Sequence, residues 1–72
     1  MDLGTYFKKK PRGEARRLAA ELRVSEGAVS DWATGRRCPS LARAMAIKKA
    51  TRNWVKPGDL FAFYERKKAE DG

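Results

Sequence analysis

Apolar residues recur at helical spacing almost from the start of the chain. Leu3, Tyr6 and Phe7 stand three and four apart behind Asp2, a good N-cap, and Pro11 with Gly13 ends that first helix after Lys8, Lys9 and Lys10. Cations suit the negative end of a helix dipole, so the three lysines fit its last turn. A second helix is predicted from about Gly13 to Leu22, because Ala15, Leu18, Ala19 and Leu22 line one face. Glu14, Arg16, Arg17 and Glu21 fall largely on the other. Residues 23–25 leave room only for a tight turn, and Ser25 can cap a third helix that carries Ala28, Val29 and Trp32 inward. It should end near Thr34, with Gly35 as its left-handed terminator. Pro39 and Ser40 then open a fourth helix, in which Leu41, Ala44, Ile47 and Ala50 or Thr51 share a face, and Asn53 stops it.

Beyond Asn53 the pattern loses its period. Pro57, Gly58 and Asp59 can begin a further helical turn, whereas Leu60, Phe61, Ala62, Phe63 and Tyr64 suit either helix or strand. Residues 65–72 are charged or small and read as irregular, which sets an expected division into a folded domain at 1–61 and a flexible tail at 62–72. The prediction is an all-α domain of four to five helices.

Composition narrows the function. In 72 residues, 17 Lys and Arg stand against nine Asp and Glu, a formal net charge of +8, which makes a polyanion the first partner to consider. The excess is uneven: Arg36, Arg37, Arg43, Lys48, Lys49, Arg52 and Lys56 lie between Asp31 and Asp59 with no acid among them. Cys38 is the single cysteine and histidine is absent, so one chain can build neither a disulfide nor a Cys/His zinc site. No nucleophile–base pair or Gly-rich phosphate loop is evident, so neither catalysis nor a cofactor or metal is expected. No apolar run approaches the roughly 20 residues of a membrane span, and a cytoplasmic, nucleoid-associated location in a bacterial host is the expectation.

One constellation carries more than composition does. Residues 15–32 form two short helical patterns meeting across a three-residue turn, with small Ala19 at the crossing and Leu18, Leu22, Val24, Val29 and Trp32 available to hold the pair to a core. These are the demands of a helix-turn-helix. The resemblance widens with Met1-Asp2-Leu3, Thr5-Tyr6, Pro11-Arg12-Gly13-Glu14, Leu18-Ala19, Val24-Ser25 and Gly35-Arg36-Arg37-Cys38-Pro39-Ser40, which in this order resemble the YdaS/Cro-like phage repressor and antitoxin group over roughly residues 1 to 60. That resemblance implies a compact, all-helical, lambda-repressor/Cro-like domain that binds operator DNA. Arg23 departs from it, standing where the family usually has glycine, at about 1 kcal/mol if the same backbone angle is adopted.

A major groove about 12 Å wide admits one α-helix. With Val29 and Trp32 turned inward, Ser25, Glu26, Gly27, Ser30, Asp31 and Thr34 form the outward side of the third helix, and they match the base- and phosphate-contacting positions of the family motif. Glu26 can accept from a cytosine amine or simply complement its own helix N-terminus; Asp31 can face bases or pair with Arg36 or Arg37. Arg36 and Arg37, just past the helix, are candidates for phosphates or a guanine edge, and Arg12 and Arg16 at the start of the second helix for the DNA backbone. Trp54, Phe61, Phe63 and Tyr64 either cap the core or form a dimer or partner contact. The leading expectation is a sequence-specific repressor that binds double-stranded operator DNA as a homodimer. The alternative is an antitoxin-type module that binds a protein partner through residues 54–64 and regulates its own operon.

Overall fold

The computed structural model describes residues 1–71, and among them the chain forms five helices and no strand: α1 (Leu3–Lys8), α2 (Glu14–Leu22), α3 (Glu26–Thr34), α4 (Leu41–Ala50) and α5 (Pro57–Asp71). The protein is all-α, as the spacing of apolar residues predicts.

Side-chain oxygens fix three of the helix starts. Asp2 accepts from the Thr5 amide at 3.0 Å, Ser25 from the Ala28 amide at 3.1 Å and Ser40 from the Arg43 amide at 3.2 Å. Each satisfies an N–H that the helix itself leaves without a partner. Two backbone reversals close α2 and α3. Arg23 sits at φ 58, ψ 44 and lets the Val24 amide reach back to the Ala19 carbonyl at 3.0 Å. Gly35, at φ 80, does the same for α3, so that the Arg36 and Arg37 amides both donate to the Asp31 carbonyl, at 2.9 and 3.3 Å.

The core is drawn from every helix. Leu3 and Tyr6 of α1, Leu18, Ala19 and Leu22 of α2, Val29 and Trp32 of α3, Ala44 and Ile47 of α4 and Leu60 of α5 are buried, together with Val55. α2 packs against α3 and α4, α4 against α5, and α1 against α3. The one buried polar side chain among the described residues, Thr51, donates to the Ile47 carbonyl at 2.7 Å and accepts from the Val55 amide at 3.1 Å, so burial leaves none of its hydrogen-bonding capacity stranded.

Three expectations change and one open alternative closes. Leu41 is 64% exposed, because the face of α4 that meets the core begins at Ala44, and buried Pro39 closes the near end. Glu14 does not stand free on the solvent side of α2: it accepts from the Tyr6 hydroxyl and from Arg17, whose Nη2 lies 2.7 Å from Oε2. Residues 60–64, open between helix and strand on period alone, are helical. Residues 62–71, expected as an irregular tail, continue α5 through Asp71; Gly72 lies outside the described residues. The stretch has no apolar repeat, but its Glu, Arg, Lys and Ala residues are good helix formers, and Leu60 anchors the first turn in the core with Phe63 one turn later.

Candidate nucleic-acid interface

α3 presents two different faces. Val29 is fully buried and Trp32 is 8% exposed, whereas Ser25, Glu26, Gly27, Ser30 and Thr34 are open to solvent. A polar, exposed strip lies along the whole helix. Its composition is small and uncrowded: Gly27 has no side chain, Ser30 a short one, and Thr34 turns its hydroxyl back to the Ser30 carbonyl at 3.0 Å. Asp31 is the exception among the outward residues expected from sequence. Its side chain is only 22% exposed and lies 3.7 Å from Arg36 Nη1, at the rim of the strip rather than its centre. The pairing alternative for Asp31 is therefore the one present in the free chain.

The arginines expected at the borders of the strip are all exposed: Arg12 and Arg16 near the start of α2, Arg36 and Arg37 just past α3. Arg16 Nε lies 3.6 Å from Glu26 Oε1, with both side chains largely in solvent. Exposed pairs of this length are worth about 1 kcal/mol or less and yield to salt or to a stronger anion. The carboxylates of Glu26 and Asp31 thus hold Arg16 and Arg36 beside the strip without locking them. The backbone under Arg36 and Arg37 is better fixed, since both amides converge on one α3 carbonyl.

Two further arginines act structurally, and the sequence reading did not single out either role. Arg43 Nη1 donates to the Leu22 carbonyl at 3.0 Å and ties α4 to the end of α2. Arg17 spans Glu14 and Glu21, the latter at 3.1 Å, and also reaches the Ala50 carbonyl at 3.3 Å. The three- and four-residue spacings of Arg17 from its acids could have signalled those pairs. Nothing local signals the Arg43 contact, which joins residues 21 apart. The Arg17 guanidinium, donating to Glu14, pulls that carboxyl down to about 2.

The aromatic residues read as either core caps or contact residues differ in burial and surroundings. Trp54 is 43% exposed, edge-on to Tyr6 with ring centres 5.7 Å apart and with Lys10 Nζ 4.0 Å above it. Phe61 packs against the core cluster, Phe63 faces the end of α3, and Tyr64 is half-buried. Among the described residues no group of three or more His, Cys, Asp or Glu side chains is placed to hold a metal ion, and no helix is long and apolar enough to cross a membrane.

No family model, curated protein or solved structure matches the chain. Residues and geometry carry the functional argument.

Proposed function

We propose that the chain is a sequence-specific DNA-binding transcriptional regulator of the YdaS/Cro-like kind, in which α2, the turn at 23–25 and α3 act as a helix-turn-helix. The observation that supports this most directly is the exposed polar strip of α3, backed by buried Val29 and Trp32 and bordered by exposed Arg16, Arg36 and Arg37.

In this reading α3 enters the major groove. Ser25, Glu26, Gly27, Ser30 and Thr34 meet base edges: Ser30 donates or accepts, Glu26 accepts from a cytosine N4 amine once Arg16 swings to a phosphate, and Gly27 lets the backbone approach. Arg36 and Arg37, on a fixed turn, hold phosphates where the chain leaves the groove, and Arg12 and Arg16 do so near the start of α2. Two copies bind a pseudo-palindromic operator in the cytoplasm, with half-sites about one helical turn apart.

Selection from random duplexes followed by binding anisotropy at several salt concentrations tests the reading. Replacing Arg36 and Arg37 together by alanine should weaken all duplexes and lower the slope of log affinity against log salt by about 2. Ser30→Ala or Glu26→Ala should change base preference at one position. A parent protein that enriches no site and prefers duplex no more than heparin ends the proposal.

A further inference from the structure

The strip on α3 has two long edges, and only one is bordered at its C-terminal end by residues that follow directly in sequence. At 3.6 residues per turn, Glu26 and Ala33 share one edge, while Asp31 lies roughly 140° round the helix on the other. Arg36, beside Asp31, therefore serves the second edge, as does the backbone of Arg37. Along the first edge Arg16 stands by Glu26, and at the far end Ala33 and Thr34 open into a groove shared by α1 and α5. Lys8, Phe63, Arg66 and Lys67 line that groove with them.

Aromatic contact restrains two of its cations, and their ion pairing among the described side chains is slight. Arg66 and Lys67 lie 5.5 and 5.7 Å from the centre of the Phe63 ring, a cation–π bed that restrains them before any ligand arrives. Lys8 and Arg66 make no ion pair among the described side chains, and Lys67 has Glu70 at 3.5 Å one turn along the exposed side of α5. The acid that lines the groove, Asp2, caps α1, accepting from the Thr5 hydroxyl at 2.8 Å and the Thr5 amide at 3.0 Å, and its charge also lies near Arg66, which a phosphate would have to share. Two basic runs 58 residues apart in sequence, 8–10 and 66–68, thus contribute to one concave surface next to Thr34.

Resting on the DNA-binding reading, the geometry points to a backbone-phosphate site formed by Lys8, Arg66 and Lys67, which makes α5 the clamp for one DNA strand while Arg36 and Arg37 hold the other. A major groove is walled by phosphates on both sides, so a helix lying in it needs cations along both edges. α5 supplies them where the chain after α3 cannot reach.

The test uses the full chain in three forms: the parent, K8Q/R66Q/K67Q and R36Q/R37Q, each checked by circular dichroism for unchanged helix content. Binding to a short mixed-sequence duplex is measured across salt, and ethylation interference is run on the duplex each protein selects. The triple variant should lose about tenfold or more in affinity, with a salt slope shallower by about 2 to 3. It should also lose a set of protected phosphates on one strand that R36Q/R37Q retains. Parent-like affinity and slope in the triple variant, while R36Q/R37Q is impaired, overturns the α5 site and leaves the DNA-binding reading intact. Loss of the same phosphates by both variants, or loss of heparin binding alone, also overturns it. No duplex binding by the parent removes both proposals.

Discussion

α2 with α3, and α5, are helices of one small domain held by different means. The α2–α3 pair closes its own ends within a few residues: the Val24 amide returns to Ala19, Ser25 caps Ala28, and the Arg36 and Arg37 amides return to Asp31. α5 is secured mainly by residues distant in sequence, through Leu60 in the core, Lys67 and Phe63 against Gly35, and Asp59, which accepts from the Met1 amino group at 2.8 Å. Local closure fixes an angle between two helices and hence a surface. Distant anchoring makes a helix depend on everything packed before it.

The largest way to break this contrast is Leu18→Ala. Leu18 is fully buried in α2, and a truncation of this kind costs about 2–5 kcal/mol, comparable to the whole stability of so short a domain. Chemical denaturation followed by circular dichroism and by tryptophan fluorescence should show both probes shifted together, since no helix has a core of its own. Separate transitions would mean that α5 unfolds independently.

Gly35→Ala strikes the joint between the two regions. Its φ of 80 disfavours any side chain, and an added Cβ would lie 2.6 Å from Lys67 Cγ and 3.3 Å from Phe63 Cε2. The expected cost is about 1–3 kcal/mol. Amide exchange should rise first in α5, and equal loss in α2 would show the joint to be less local than the contacts suggest.

A smaller effect concerns the Glu14 clamp on the α2 side. Its carboxyl titrates near 2 rather than at its ordinary 4.5, because Arg17 and then the Tyr6 hydroxyl donate to it. A depressed carboxylate stabilises the fold fully above pH 4.5 and loses that contribution as pH falls toward 2. Glu14→Gln should cost on the order of 1 kcal/mol near neutrality. Melting curves of parent and variant should converge as pH drops through that window, and a constant offset would assign the effect to packing.

The smallest change, and the one expected to stabilise, is Arg23→Gly. Arg23 holds a left-handed backbone that glycine adopts freely, so relief of strain should outweigh the lost chain stiffness by about 0.5–1 kcal/mol. The melting midpoint should rise by a few degrees, with duplex binding unchanged because the turn keeps its shape. A fall would mean that the Arg23 side chain stabilises the fold more than its backbone angle costs.

Legibility followed the same division. Asp2, Ser25, Gly35 and Ser40 mark helix boundaries because capping is local chemistry between neighbours, and Leu18, Ala19, Leu22, Val29 and Trp32 mark a buried face because their spacing repeats the helical turn. The exposed strip of Ser25, Glu26, Gly27, Ser30 and Thr34 follows from the same geometry. Leu41 misleads because spacing names a face without saying how far along the helix the neighbouring core extends. α5 misleads because a charged stretch such as 65–71 has no apolar repeat to announce a helix.

The amino-acid order by itself determined four helices, the tight turn between the second and third, and which side of the third faces water, since each depends on interactions within about one helical turn. Tertiary structure decided that Arg17 and Arg43 tie helix ends together, and that Lys8 lines one groove with Arg66 and Lys67 next to Thr34. Those outcomes join residues separated by up to most of the chain, and only packing of the completed core sets such distances.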